Sequence, residues 1–229
     1  MTPTPSRIGE AIAATFAARG ACVHVLDIDP RKARNTVDRI TASGGKAAAP
    51  VCDASDESAI AEVVKRIVGD CRIHILVNSV GMAHVGTLES TSPRDLDLIF
   101  RVNVRSYYNS MCASIGHMKL NGGGVILNIA SIAASAGLKD RFAYSMSKGA
   151  VVAMTYSVAK DYLIKFGATV SLRSESIHRL SMAVSIRTTR DLNRKSTTSW
   201  LARSPSEEWR SPTKLRRWRC FFAPKRLLS

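Results

Sequence analysis

The chain has 229 residues, 45% of them hydrophobic and 22% charged, which is ordinary for one globular domain, and its formal net charge is +15. No apolar run reaches the roughly 18 residues that a membrane helix needs, the start lacks the order of a signal peptide, and the five cysteines form no CxxC pair. We therefore expect a cytoplasmic protein with no membrane partner and no metal site.

Helical patterns and short apolar runs alternate over residues 9–170. The runs typical of buried strands are ACVHVLDID, KAAAPVCDAS, IHILV and GGGVILNIAS. The helical patterns are IGEAIAATFAARG, RKARNTVDRITASGG, DESAIAEVVKRIVGD, a long segment from Ser92 and DRFAYSMSKGAVVAMTYSVAKDYLIKF. Strands alternating with helices of this length predict an α/β fold, a doubly wound parallel sheet with helices on both faces.

This alternation ends after about Gly167. Residues 171–229 contain 11 Ser, 11 Arg and all three Trp but no Gly, and they carry 14 Lys and Arg against four acids, a net charge of +10. No helical or strand period is sustained in this tail. We predict a domain over residues 1–170 and a basic, disordered or out-of-frame tail over residues 171–229.

Ser131, Tyr144 and Lys148 form the sharpest group of chemically active residues. Tyr144 and Lys148 lie four residues apart on a predicted helix, so both side chains point to one face. A lysine there can lower the pKa of the phenol and make it a usable acid or base. Ser131 follows a predicted strand, where an α/β sheet places its ligand groups, and its hydroxyl could hold a carbonyl or alkoxide oxygen.

The strings NIAS and, thirteen residues after its Ser, YSMSKGAVVAMT closely resemble the active-site segment of the short-chain dehydrogenase/reductase family. The resemblance implies a Rossmann-like fold and an NAD(P)-dependent oxidoreductase that transfers a hydride between nicotinamide and a small alcohol or carbonyl substrate. It also implies that Tyr144 is the catalytic acid/base, that Lys148 contacts the nicotinamide ribose and tunes Tyr144, and that Ser131 positions the substrate oxygen.

Two further motifs follow the family's order. NSVG, from Asn78 to Gly81, resembles the family's NNAG motif, which supports the central sheet and the adenosine side of the cofactor. NVRS lies in the long helical segment where the family has its fourth catalytic residue, an Asn that holds a water in the proton relay. The resemblance assigns that role to Asn103.

Two aspartates mark the adenosine side of the predicted cofactor site. Asp27 ends a predicted strand, where a carboxylate binds ribose hydroxyls and repels a 2′-phosphate, so NAD is favoured. NADP stays possible because Asp27 could be a plain strand-ending residue, Asp29 is next to it, and Arg7 is a basic residue that NADP could use. Asp53 matches the family's Asp that contacts the adenine.

The N-terminus departs from the family pattern. The family opens with a strand and TGxxxGIG, whose glycines let backbone N–H groups approach the pyrophosphate. Here the stretch reads TPTPSRIG, which keeps Ile8 and Gly9 but has Pro3 and Arg7 at the first two glycine positions. We therefore predict a truncated N-terminus, a missing first strand and weakened pyrophosphate binding.

The C-terminus departs differently, since none of the family's later elements is readable after the helix of Lys148. A shifted reading frame lets residues 207–222 encode G-R-M-A, P-D-E-V-A-A-L-A-L and F-L, the family's missing signature. We hypothesise a frameshift near residues 164–171, with the C-terminal strands missing or degraded. A gene sequence with no in-frame continuation would refute it.

An alternative reading is an inactive dehydrogenase remnant whose basic, Trp-containing tail binds nucleic acid or other polyanions without specificity. No recognised nucleic-acid module accompanies the tail, and the frameshift accounts for the same composition, so we expect no specific nucleic-acid partner. By resemblance the protein forms a homodimer or homotetramer through the long helices that begin near Ser92 and Ala143. The sequence does not name the substrate.

Overall fold

The fold is that of a computed structural model, which describes residues 7–162, 166–172 and 182–185, all within the first of two compact units, Met1–Leu192. The helices are α1 Arg7–Ala17, α2 Pro30–Ala42, α3 Glu57–Asp70, α4 Pro93–Phe100, α5 Ser106–Leu120, α6 Ala133–Ala136 and α7 Phe142–Asp161. The strands are β1 Cys22–His24, β2 Lys46–Ala48, β3 Ile75–Asn78, β4 Gly124–Ile129, β5 Phe166–Leu172 and β6 Met182–Ser185. This order confirms the predicted α/β class.

Three helices begin at capping residues that the sequence itself supplies. Asp29 precedes α2 and accepts a hydrogen bond from the backbone N–H of Arg31, Asp56 caps α3 through Ala59, and Ser92 caps α4 through Asp95. Such caps satisfy backbone donors that have no partner inside the helix, and each contributes about 1 kcal/mol. The starts of α2, α3 and α4 are therefore fixed by the residue that precedes each helix.

The strands form two sheets. β1 pairs in parallel with β2, while β3, β4 and β5 are parallel in that order, with β6 antiparallel at the end. Within the described part of the chain, no strand joins β1 to β3. The family's first strand is expected at this position, and among the described residues β1 and β3 each pair with one strand only.

The C-terminal side carries more strand than the sequence indicated. β5 continues to Leu172 and pairs with β4 as far as Ser171, and β6 over Met182–Ser185 lies within the predicted tail. We predicted C-terminal strands that are missing or degraded; these two segments form strands, and the residues between and after them lie outside the described part of the chain. β5 has backbone groups in register with β4 up to Ser171, and this tertiary pairing is not visible in local sequence. The antiparallel direction of β6 departs from an all-parallel sheet.

Two hydrophobic clusters hold the helices on the sheets. One is centred on β4, α5 and α7 and contains Tyr107, Met111, Met118, Ile126, Ala130 and Val151. The other is centred on α3, where Ile60, Val63, Val64, Ile67 and Cys52 pack together. Leu26, after β1, and Ile73, before β3, both pack against this second cluster. Helix α3 therefore supports both sheets across the gap between them.

Candidate active site

The carboxyl ends of the parallel strands bring most of the predicted site residues to one edge. Asp27 follows β1, Asp53 follows β2, and Ser131 follows β4 by two residues. Asn78 is the last residue of β3, and Gly81 lies in the loop after it. In open α/β sheets ligands bind outside this edge, because the loops there can present side chains and backbone groups without disturbing the core.

Lys148 is the most constrained charged group at this edge. It lies on α7, its side chain is buried with only 4% of the residue exposed, and its Nζ donates to the carbonyl of Ile129 at 3.0 Å. Nζ also lies 3.4 Å from the hydroxyl of Tyr107. A buried ammonium persists only where acceptors surround it, so these contacts fix a positive charge at the end of β4.

Tyr144 lies one helical turn before Lys148, in the first turn of α7, and is half-buried. Between them Ser147 is fully buried, and its hydroxyl donates to the Tyr144 carbonyl at 2.7 Å. The same hydroxyl accepts a hydrogen bond from Asn103 at 3.0 Å. The turn of α7 that carries Tyr144 and Lys148 is thus tied to a second helical segment.

Asn103 lies in a π-helical turn, Arg101–Arg105, that joins α4 to α5. Its Oδ1 accepts from the backbone N–H of Met82 at 2.7 Å, and its Nδ2 donates to the Met82 carbonyl at 2.9 Å as well as to Ser147. π-Turns often occur at functional sites, because they re-aim a side chain within a helix. Both Nδ2 hydrogens are used, so the Asn103 side chain joins the loop after β3 to α7.

Ser131 is buried, with 5% of the residue exposed, and opens the turn into α6. Its Oγ accepts a hydrogen bond from the backbone N–H of Ala133 at 3.2 Å. That contact uses the oxygen as an acceptor and holds the hydroxyl just beyond the end of β4. The structure thus brings Ser131, Tyr144, Lys148 and Asn103 to elements around the end of β4, while their catalytic roles stay predictions.

The cofactor-side residues differ in how they are held. One carboxylate oxygen of Asp27 accepts from the backbone N–H of Asp29 at 2.9 Å, while Asp29 itself caps α2. Asp53 is exposed and accepts from both the N–H and the hydroxyl of Ser55. A Cβ on Gly81 would lie 3.4 Å from Lys148 Nζ, so a glycine there keeps the approach to the ammonium open.

Asn78 is turned into the protein. Its residue is 5% exposed, and its Nδ2 donates to Asn128 Oδ1 at 2.8 Å across the β3–β4 pair. Asn128 in turn donates to Thr155 on α7 at 2.8 Å. This buried chain supports the predicted role of Asn78 in the sheet, while a direct contact with the cofactor stays a prediction.

Ile8 and Gly9 lie in the first turn of α1, which begins at Arg7. They therefore sit at the helix N-terminus where the family pattern places them. The residues before Arg7, including Pro3 and Pro5, lie outside the described part of the chain.

Sequence reasoning missed three residues of this network. Tyr107, Ser147 and Asn128 are fully buried polar residues, and each bonds a group from another element. Tyr107 has a partial signal, since it stands four residues after Asn103 and therefore on the same helical face. Its partners are backbone carbonyls, which no sequence pattern identifies.

A family profile described as enoyl-(acyl carrier protein) reductase matches residues 4–225, nearly the whole chain. The crystal structure of a metagenomic short-chain oxidoreductase in complex with NADP superposes with a TM-score of 0.70 at 29% identity, covering 73% of this chain and 77% of that one. The chain belongs to the short-chain dehydrogenase/reductase family. It is accordingly an oxidoreductase by family, and this family uses NAD(P).

Relatives within the short-chain dehydrogenase/reductase family match about three quarters of the chain. An uncharacterized oxidoreductase of Thermotoga maritima is 37% identical over 172 residues, which is 75% of this chain and 67% of that protein. The (2S)-[(R)-hydroxy(phenyl)methyl]succinyl-CoA dehydrogenase subunit BbsD of Thauera aromatica is also 37% identical, over 75% of this chain and 68% of its own length. This chain thus spans about two thirds of each relative.

Two structural findings concern partners and metals. Among the described residues, no helix is long and apolar enough to cross a membrane. In the same part of the chain, no group of three or more His, Cys, Asp or Glu side chains is arranged to hold a metal ion.

Proposed function

We propose that this protein catalyses NAD(P)-dependent hydride transfer between nicotinamide and a small alcohol or carbonyl substrate. The observation that carries the proposal is the buried Lys148 ammonium, which lies one helical turn from Tyr144 and is held by Ile129 at the end of β4, two residues before Ser131. The matched relatives are oxidoreductases and dehydrogenases, and they lend no support to the alternative of a polyanion-binding remnant.

Tyr144 is the proposed acid/base. The positive charge of Lys148 favours the tyrosinate, because an opposite charge nearby stabilises the ionised form and lowers the pKa of the phenol. In alcohol oxidation the Tyr144 oxygen accepts the hydroxyl proton, and in carbonyl reduction it returns the proton to the new alkoxide. A bound nicotinamide supplies the hydride acceptor or donor.

Ser131 and Asn103 complete the proposed group. The Ser131 hydroxyl, fixed just past β4, donates to the substrate oxygen and orients it towards Tyr144. The Asn103 side chain positions the helical turn of Tyr144 and Lys148 through Ser147. The relay water that family resemblance assigns to Asn103 is part of this proposal.

The residues present fit two of the three parts of a dinucleotide, the adenosine and the nicotinamide ribose, better than the pyrophosphate. Asp27 and Asp53 at the strand ends suit the adenosine, and Lys148 beside the open backbone of Gly81 suits the nicotinamide ribose. The pyrophosphate side fits less well, because Pro3 and Arg7 stand at two of the family's glycine positions. Ile8, Gly9 and Asn78 would complete the cofactor site as part of the same proposal.

Within this proposal NAD is the preferred cofactor. Titrations with NADH and with NADPH, followed by fluorescence, test both this preference and the proposed function. Asp29 caps α2 and Asp27 remains the strand-end carboxylate, which would repel a 2′-phosphate. We expect NADH to bind more tightly than NADPH, and Asp27→Ala to reduce this preference by about tenfold, which is about 1.4 kcal/mol in relative binding free energy.

Asp38→Ala, on the exposed side of α2, is the matched control and should leave both affinities unchanged. Equal weakening of both nucleotides by Asp27→Ala would show that Asp27 serves the fold and not cofactor choice. If neither NADH nor NADPH bound the wild-type chain, the proposed function would be contradicted.

We also infer a homodimer or homotetramer in solution. Helices α5 and α7 leave large apolar side chains exposed, including Tyr108 at 54%, Tyr156 at 43% and Met146 at 38%. Exposed aromatic and Met side chains on neighbouring helices are typical of protein interfaces. Light scattering coupled to size-exclusion chromatography should give a mass of two or four chains, and a mass of one chain would contradict the inference.

A further inference from the structure

Tyr107 is a fully buried tyrosine on α5, one helical turn after Asn103. Its hydroxyl lies 2.9 Å from the carbonyl of Val80, in the loop after β3, and 2.9 Å from the carbonyl of Ile129, at the end of β4. The side chain therefore reaches between the two strand ends that frame the active site.

The Tyr107 hydroxyl has one hydrogen to donate, so it serves one of these two carbonyls at a time. Its oxygen lone pairs are left to accept, and Lys148 Nζ lies 3.4 Å away. The ammonium also lies 5.3 Å from the centroid of the Tyr107 ring, within the range of a cation–π contact. Lys148 is thus held by the oxygen and the ring of one side chain, and by Ile129.

Asn103 and Tyr107 together form a pair of contacts on adjacent turns. Asn103 binds Met82 and Ser147, while Tyr107 binds Val80 and Lys148. Each residue joins the loop after β3 to α7. Two neighbouring helical turns thus bind both the loop after β3 and the part of α7 that carries Tyr144 and Lys148.

We propose that Tyr107 is a positioning residue that holds the Lys148 ammonium against the end of β4 and so sets how strongly Lys148 acts on Tyr144. This inference rests on the proposed function of Tyr144 and Lys148 and extends it to a residue outside the family's catalytic motifs. Tyr107 itself stays protonated, because its pKa is raised well above the usual value. The main cause is burial of the hydroxyl, and the nearby Tyr144 adds to it.

The described groups around Lys148 Nζ come from several elements. The Tyr107 phenol of α5 and the Ile129 carbonyl of β4 lie within hydrogen-bond distance of Nζ, and the backbone of Gly81 lies close to it. Tyr144 lies one helical turn before Lys148 on α7. Tyr107 and Tyr144 are the titratable members of this set. Removing the Tyr107 oxygen takes an acceptor from the ammonium, so Lys148 is held less firmly and favours the Tyr144 anion less.

The test is the ionisation of Tyr144 in Tyr107→Phe, a change that keeps the ring and removes the oxygen. Absorbance near 295 nm follows all five tyrosines, and subtracting the titration of a matching Tyr144→Phe protein isolates Tyr144. We expect the pKa of Tyr144 to rise by about half to one unit, which lowers the tyrosinate fraction about three- to tenfold below that pKa. This measurement needs neither turnover nor bound cofactor, so its outcome is independent of whether the chain is active.

Two controls separate positioning from support of the fold. Tyr108→Phe changes the adjacent exposed tyrosine and should leave the Tyr144 titration unchanged. In a Lys148→Met background, Tyr107→Phe should no longer shift Tyr144, because the effect passes through Lys148. If Tyr107→Phe does not fold, Tyr107→Met also removes the oxygen while filling the apolar site. A lowered melting temperature with an unshifted Tyr144, or a shift that persists without Lys148, would overturn the proposal.

Discussion

Replacing Tyr144 by Phe is expected to lower kcat/KM for alcohol oxidation by about 10²–10⁴-fold, the usual contribution of a positioned acid/base. The phenyl ring still occupies the first turn of α7, but no oxygen is left to move the substrate proton. Because Lys148, Asp27 and Asp53 are unchanged, affinity for NADH should change little. Steady-state kinetics beside a fluorescence titration of NADH would show whether the proton-transfer step alone is lost.

Tyr156→Phe is the matched control for this experiment. Tyr156 lies on the same helix three turns further on and is 43% exposed, so its hydroxyl is remote from the strand end that carries Ser131. We expect its kinetics to equal those of the wild type. If Tyr144→Phe retained more than about a tenth of wild-type kcat/KM, Tyr144 could not be the main acid/base.

The sequence was informative where a function depends on local spacing. Tyr144 and Lys148 are four residues apart on a continuous helix, so the sequence alone predicts that they share one helix face. Ser131 follows a mostly apolar strand, so the sequence also predicts that it lies at a strand end. Asn103 was placed by motif order, but its π-turn could not be predicted. Its geometry depends on Met82 and Ser147, which belong to distant segments.

The residues that sequence reasoning missed act through tertiary contacts. Tyr107 reads as one more aromatic residue in a helix, and only the arrangement of Val80, Ile129 and Lys148 around it gives it a role. β6 was missed for a similar reason, since a short strand is stabilised by its neighbour more than by its own residues.

The tail is a separate case. Most of residues 171–229 lie outside the described residues, so disorder there and the frameshift near residues 164–171 stay predictions. The family profile extends through residue 225, across the domain boundary that we predict at residue 170. β5 pairs with β4 as far as Ser171, and Leu172 pairs with Met182 of β6, so the sheet continues just past that boundary.

Inserting a strand between β1 and β3 is expected to have the second large effect. The variant would carry four or five apolar residues and a Gly-containing turn of the TGxxxGIG type, joined to the chain at Ile8. We expect the inserted strand to pair with β1 on one side and β3 on the other and to convert the two sheets into one, which removes unpaired backbone donors and acceptors. Helix α3, which already packs against Leu26 and Ile73 on either side of the gap, would cover the inserted strand.

Two measurements should respond. A net gain of about 2 kcal/mol in the free energy of unfolding would raise the melting temperature by about 4–8 °C in a domain of this size. NADH affinity should rise about tenfold or more, because glycines at the start of α1 let backbone N–H groups reach the pyrophosphate. Hydrogen exchange at the amides of β1 and β3 should slow, which would locate the strand in the gap.

Two control insertions divide the effect between sheet and cofactor. With alanines in place of the turn glycines, the melting temperature should still rise while NADH affinity does not, because the added Cβ atoms block the approach of the pyrophosphate. With a proline in the middle of the strand, neither should change, since proline cannot complete the ladder on both sides. A glycine-bearing insertion that stabilises the fold without tightening NADH binding would mean that the weakness of this site lies elsewhere than at the pyrophosphate.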